Sequence, residues 1–350
     1  MSARVRRHAY ALDLRGGRID MSHGSGGRAT TQLIEEIFLR AFDNEWLRLM
    51  DDQARCELPP GRLVVATDSH VISPMFFPGG DIGALSVHGT INDVAMAGAT
   101  PLYLTAGFII EEGFLLADLK RIADSMAQAA RAAGVAIVAG DTKVVERGKG
   151  DGIFITTTGV GVVDPALDIH AHRARLYDRI LVSGFIGDHG MAIMSEREHL
   201  SFDADILSDS AALHGLVADM VRAVPGIHCL RDPTRGGLAT ALNEIADKSG
   251  VGMRIRESTI PIRPEVRAAC EFLGLDPLYI ANEGKLIAVC AAEDAERLLS
   301  VMRAHPLGMQ AAIIGEVVAD PFHFVEMETA FGGGSRMVDW LAGDPLPRIC

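Results

Sequence analysis

Apolar positions along the chain recur at two spacings, near 2 and near 3.6 residues, which predicts alternating strands and helices. Leu33, Ile34, Ile37, Phe38 and Ala41 share one helical face behind a candidate cap at Thr30 or Thr31, predicting a helix to about Phe42. Residues 63–66 read as a strand that runs into Thr67-Asp68-Ser69-His70, and residues 82–97 as a buried helix of small residues. Strands are expected at 102–110, 135–139 and 153–163, with a strongly amphipathic helix at 116–133. The second of these strands runs into Gly140-Asp141-Thr142-Lys143.

Asp164-Pro165 opens an expected linker, and the pattern then starts again. A strand at 179–182 enters the glycine-rich Ser183–Gly190. Helices follow at 211–223, 238–248, 264–273 and 293–304, with strands at 254–256, 285–289, 312–318 and 322–326. The fold class expected is α/β (α+β) in two lobes, 1–165 and 175–330, with a tail at 331–350 hinged at Gly332-Gly333-Gly334. Strand-to-helix spacing is compatible with parallel pairing but does not fix the topology.

Length and composition agree with this division. A chain of 350 residues can build two cores, and 48% apolar content is that of a globular protein. The net charge of −13 argues against a general nucleic-acid partner, while leaving room for a phosphate ligand held through Mg2+. No apolar run reaches the ~18 residues of a membrane span, so no membrane association is expected. Arg4, Arg6 and Arg7 are followed by no apolar stretch, so a signal peptide is not expected either. The five cysteines, Cys56, Cys229, Cys270, Cys290 and Cys350, are scattered, odd in number and without a C-x-x-C. That argues for reduced thiols and a cytoplasmic protein rather than a disulfide framework or structural zinc.

Candidate chemistry gathers in acidic, glycine-flanked segments. Asp68, Asp93, Asp141 and Asp232 read as residues of strand ends, helix starts and loops that could converge on Mg2+. Each alone has the plain reading of a cap or turn residue. Gly24–Gly27 and Gly236-Gly237 would allow backbone N–H groups close to phosphate, but neither is a G-x-G-x-x-G after a strand, and no Walker motif occurs. Lys143 could reach a phosphate or be a solvated strand-end lysine. Glu283, before another apolar strand, could be a general base or a turn residue. His23, His88 and His189 lack metal-ligand spacing and read as core or loop histidines. Cys350, after Pro347-Arg348-Ile349, puts a thiol on an extended segment.

Taken together, His23-Gly24-Ser25-Gly26-Gly27-Arg28, Thr67-Asp68-Ser69, Gly89-Thr90-Ile91-Asn92-Asp93, Gly140-Asp141-Thr142-Lys143, Arg231-Asp232-Pro233-Thr234-Arg235-Gly236-Gly237, Asn282-Glu283-Gly284-Lys285 and the Pro-Arg-Ile-Cys ending resemble the hydrogenase expression/formation family HypE. That family is a branch of the superfamily of aminoimidazole ribonucleotide synthetase, selenophosphate synthetase and thiamine monophosphate kinase. The resemblance runs from about residue 20 to 350.

It implies a homodimer, with the N-terminal lobe sheet at the interface, that binds ATP and Mg2+. The activity implied is dehydration of a carbamoyl group on the Cys350 sulfur to a thiocyanate, the source of cyanide ligands for [NiFe]-hydrogenase iron. The implied partners are the carbamoyltransferase HypF, which loads the group, and the HypC–HypD complex, which receives the product. By the same resemblance Asp68, Asp93, Asp141 and Asp232 would hold metal. Gly26, Gly27, Asn92, Thr142 and the first three of those aspartates would bind ATP. Lys143 and Glu283 would act on the carbamoyl group. A superfamily enzyme acting on a free small molecule, or a carrier without catalysis, would use the same motifs differently. The absence of cysteine from the N-terminal glycine loop counts against selenium chemistry.

Overall fold

The computed structural model describes residues 11–198, 206–343 and 348–350. The expected extended run 343–347 and the arginine-bearing first residues fall largely outside them. The first lobe begins with α1 (Arg28–Leu33), a π-turn at Ile34–Phe38 and α2 (Leu39–Phe42). It continues with β1 (Arg62–His70), the short pair β2 (Phe76–Phe77) and β3 (Gly80–Asp81), and α3 (Ile82–Ala95). Then come β4 (Thr100–Glu111), α4 (Leu116–Ala132), β5 (Ala136–Val145) and β6 (Ile153–Val163).

The four long strands form one sheet in the order β1-β6-β4-β5, antiparallel except for β4 beside β5. Leu104, Ala106, Phe108 and Ile110 alternate inward along β4, and Leu119, Ile122 and Met126 of α4 face them from the helical layer. Helix α3 lies closer still: a Cβ at Gly159 would meet Thr90 and Val94 at 2.9 Å, so β6 needs glycine there. The opposite face of the sheet carries Leu63, Val65 and Ile109, each exposed.

The second lobe contains β7 (Arg179–Val182), α5 (Asp188–Arg197), α6 (His214–Ala223), β8 (Cys229–Arg231), α7 (Gly237–Ser249) and β9 (Gly252–Arg256). It is completed by α8 (Pro264–Leu273), β10 (Ile287–Cys290), α9 (Ala295–Ala304), β11 (Ala312–Val318), β12 (Val325–Glu328) and β13 (Ser335–Met337). Its seven strands run β13-β12-β9-β11-β7-β10-β8, with β9 and β12 the parallel pair. Ile180 and Val182 of β7 pack towards α7, while Leu181 packs towards α6 and α9, so both faces are covered. Met191 and Ile193 of α5 and Val266 and Cys270 of α8 belong to the same apolar cluster as the first-lobe core. The cleft between the lobes is therefore floored by a shared core.

Several expectations are corrected. Asp68 and Asp141 lie within strands rather than in loops after them, and Asp93 lies within α3, leaving only Asp232 in a loop. Cross-strand pairing of Asp68 with Thr157 and of Asp141 with Gly107 carries the ladders past the local Gly/Asp signals. The first helix starts at Arg28 with Gly27 as its N-cap, because Thr30 is occupied in accepting the Gly26 N–H at 3.0 Å. Ser335–Met337, assigned from sequence to the tail, is an edge strand. Gly332 and Gly333, both at positive φ, form the hairpin turn before it rather than a free hinge. Helix α5 and the three-residue β8 carried too little periodicity to be foreseen, and several second-lobe boundaries move by two or three residues.

Candidate active site

Residues 348–350 lie in the cleft between the lobes. Main-chain N–H groups of Val71 and Ser73 donate to the main-chain oxygens of Cys350 (3.1 Å) and Arg348 (3.2 Å), an antiparallel register that extends β1. Ile349 is only 4% exposed and joins the shared core. Its carbonyl accepts from His189 Nε2 at 2.8 Å, which fixes the histidine tautomer and leaves Nδ1 to accept from Ser208 Oγ at 2.8 Å. Burial holds His189 below its usual pKa, so the ring is neutral. Arg197, at the end of α5, donates Nη2 to the carbonyls of Ser73 (2.6 Å) and Arg348 (2.9 Å), and the Arg348 side chain pairs with Asp151.

This seating places the Cys350 thiol beside the Glu283 carboxyl, close enough for each to shift the other's protonation. Burial, then Asp209, Asp232 and Asp68, push Glu283 well above the usual carboxylate range. Burial and the Glu283 charge push the thiol up as well, so Cys350 is held as a neutral thiol. The Glu283 main chain is held at both ends. Its N–H donates to Asp209 Oδ1 (3.0 Å), and its carbonyl accepts from Asn92 Nδ2 (3.3 Å) and the Ala211 N–H (3.4 Å).

Three of the predicted aspartates, Asp68, Asp93 and Asp232, lie near one another, and Asp68 and Asp232 lie near Glu283. Asp93 is raised to about 7 by burial, then by Asp232 and Asp68, and burial raises Asp232 too. Arg235 Nη2 lies 3.9 Å from Asp68 Oδ1. Carboxylates that destabilise one another's charge are a fit for a hard divalent cation. Among the described residues, however, no three His, Cys, Asp or Glu side chains form a ready-made metal cage. The arrangement fits Mg2+ in its usual mode, bound by one or two carboxylates together with phosphate oxygens and water.

Asp141, Thr142 and Lys143 sit elsewhere. They are on β5, at the opposite edge of the sheet from β1, three strand spacings or about 14 Å away. Asp141 and Lys143 point to the exposed face, where Lys143 Nζ pairs with Asp141 Oδ2 at 2.8 Å, and that bond holds the Asp141 carboxyl below its usual value. Asp68 points to the other, α3-bearing face, as its 3.6 Å approach to a Cβ at Gly89 shows. Within one chain, then, Lys143 does not meet Glu283. The glycine loop belongs with β5: a Cβ at Gly24 would strike Val144 at 2.7 Å, and Gly26 and Gly27 follow at the start of α1. Beside them lies a cavity of about 130 Å3, lined by Ile34, Phe38, Phe108 and Ile137 and by Asp141 and Thr142.

Sequence reasoning missed His189, read as a core or loop residue; it is core, but it also grips the tail. Arg197 and Asp209 were missed too, while Lys285, quoted as the end of the Glu283 motif, was given no role of its own. The only signal for Arg197 and Asp209 is spatial, since nothing in the local sequence marks them.

Two family models, AIR synthase related protein N-terminal domain and C-terminal domain, match residues 50–163 and 178–328. The carbamoyl dehydratase HypE of Azotobacter vinelandii is 72% identical over 339 residues, covering 97% of this chain and 99% of that protein. A hydrogenase maturation protein HypE solved in complex with ATP superposes with a TM-score of 0.91 at 52% identity, over 94% of this chain and 99% of that one. HypE solved in a HypE–HypF complex superposes at 0.78 with 51% identity, over 88% and 99%. With both lobes matched and the cleft formed by family motif residues, the chain belongs to the carbamoyl dehydratase HypE family of hydrogenase maturation proteins.

Proposed function

We propose that this carbamoyl dehydratase acts on its own Cys350, converting S-carbamoyl-Cys350 to S-cyano-Cys350 with ATP. The observation that carries the reading is the Glu283–Cys350 contact, with the tail seated by His189, Arg197 and the Val71–Ser73 main chain. A carbamoyl group on that sulfur would lie within reach of the glutamate.

The amide oxygen is a poor leaving group, so it takes the γ-phosphoryl group of ATP as the first N–H proton departs. The second N–H proton then leaves as the C–O bond breaks and the C–N bond becomes triple. The products are thiocyanate, ADP and phosphate. Glu283, raised in pKa and fixed at its main chain, is the base for proton removal. Bound Mg2+ would offset charge on the triphosphate, with Asp68, Asp93 and Asp232 as its candidate holders in this cleft and Asp141 able to join them only from a second copy of the chain. Gly26, Gly27, Asp141 and Thr142 are the remaining candidate ATP contacts, the apolar cavity beside Thr142 offering room for adenine, whereas Asn92, buried with its amide bonded at both ends to main chain, shapes the cleft rather than reaching ATP.

Lys143 enters through a second copy of the chain. The exposed sheet face with Leu63, Val65 and Ile109, and the edges of β1 and β5, which no other strand pairs among the described residues, support a homodimer in which one subunit's Lys143 serves the other's cleft. HypF would load the carbamoyl group on an undocked tail and HypC–HypD would accept the cyanide, all in the cytoplasm. The five cysteines are free, and among the described residues no helix is long and apolar enough to cross a membrane.

Incubating S-carbamoylated protein with Mg-ATP tests the proposal. The C-terminal peptide should lose the mass of one water, and Glu283→Gln should prevent the loss while ATP still binds. Equal dehydration by the Glu283→Gln protein removes Glu283 from the chemistry.

A further inference from the structure

The segment that enters the cleft just before α6 touches each working part of the site in turn. Ser208 Oγ donates to His189, which holds the tail. Ser210 Oγ meets His88 Nδ1 at 3.0 Å, and the Ala211 carbonyl and Leu213 N–H bind the two ends of the Asn92 amide at 3.0 and 2.8 Å.

Between these contacts, Asp209 accepts the Glu283 N–H on one carboxylate oxygen and Lys285 Nζ on the other at 2.9 Å, with side chains only 3% and 13% exposed. The fit is close: a Cβ at Gly284 would lie 1.8 Å from the Asp209 carbonyl oxygen. Nothing in the reaction uses Asp209 directly, and a buried carboxylate–ammonium pair is no efficient way to stabilise a fold.

We propose that Asp209 is a positioning residue for the base: it holds the Glu283 main chain so that the carboxylate meets the group on Cys350, and Lys285 keeps its carboxylate charged and oriented. The inference rests on the proposed role of Glu283 and deepens it. Burial alone would raise Asp209; Lys285 and the Glu283 N–H outweigh it and leave its carboxyl below the usual value, so it is ionised throughout the working range. A one-ångström drift of a base is the kind of error that costs a proton transfer one or two orders of magnitude in rate.

Two double variants test this without leaving a buried charge unpaired. Asp209→Asn/Lys285→Met keeps an acceptor for the Glu283 N–H, and Asp209→Leu/Lys285→Met removes it. In the full-length S-carbamoylated protein with saturating Mg-ATP, the first is expected to dehydrate at least tenfold faster than the second. The KM for ATP, the melting temperature and the alkylation rate of the Cys350 thiol should agree between them within about twofold or a few degrees. Hydrogen exchange of the Glu283 amide, which needs no turnover, should be protected in the first and fast in the second. Equal rates, or a rate difference that tracks tail exposure, overturn the proposal. If wild-type protein fails to dehydrate, the chemical reading of Glu283 falls, while amide exchange still shows whether Asp209 holds that residue in place.

Discussion

Truncating Ile349 probes how the tail is held. Its side chain is 96% buried in the core shared by both lobes, and Ile349→Ala removes three carbons from the docked state. At about 0.8 kcal/mol per buried carbon the transfer loss is ~2.4 kcal/mol, with any cavity adding to it. An undocked tail exposes residue 349 in either form, so nearly all of this falls on docking. The bonds to the tail main chain from the Val71 and Ser73 N–H groups and the His189 and Arg197 side chains survive the change.

At 1.36 kcal/mol per decade, the population of the open tail should rise roughly 60-fold. Alkylation of Cys350 reads this population, because the docked thiol is sequestered beside Glu283 with a raised pKa. The other thiols interfere little: Cys229, Cys270 and Cys290 are buried, and Cys56 can be replaced by serine. Labelling, followed on the C-terminal peptide, should accelerate by one to two decades in Ile349→Ala. Acceleration of less than about threefold would mean that Ile349 does not hold the tail, and the docked geometry would lose its energetic basis.

Other consequences can be read in solution. Because Glu283 must be ionised to act and its pKa is raised, turnover at saturating Mg-ATP should fall with decreasing pH well before an ordinary glutamate near 4.5 would protonate; a profile flat down to about pH 5 contradicts this. Asp93 is raised from 3.8 to about 7, so the folded state binds its proton more tightly and the charged form costs stability that grows as pH rises through that window. Asp93→Asn should thus leave urea stability unchanged near pH 4 and raise it at pH 8, by up to about 4 kcal/mol, while losing the stabilisation that Mg-ATP gives the parent protein. If Lys143 serves the neighbouring subunit, mixing and re-dimerising inactive Lys143→Ala and Glu283→Gln proteins should restore part of the activity. A mixture as dead as its components places both residues in one chain's site, or Lys143 outside the chemistry.

The sequence was most legible where burial repeats with a period. The inward alternation along β4 and the stripe on α4 announce the first lobe, and both are present in the structure. It was less legible where pairing overrides local signals. Gly140-Asp141 looks like a turn, yet it stays extended because β4 pairs along its whole length. The identity of Glu283 and Cys350 as candidates came from motif resemblance, and their contact from the fold. That Lys143 points away from both could not be read from spacing, since it depends on which face of β5 is covered. The residues that seat the tail and hold the base come from two stretches, His189 and Arg197 from the two ends of α5 and Asp209 from the segment before α6, and no local pattern connects them.

The central claim is that the carbamoyl oxygen, and not water, accepts the phosphoryl group of ATP in a cleft where Glu283 removes the protons. Carbamoyl-Cys350 labelled with oxygen-18 tests it in one turnover. The account predicts that the label appears in inorganic phosphate, in step with formation of the thiocyanate on Cys350. Unlabelled phosphate with the heavy oxygen released as water would contradict it.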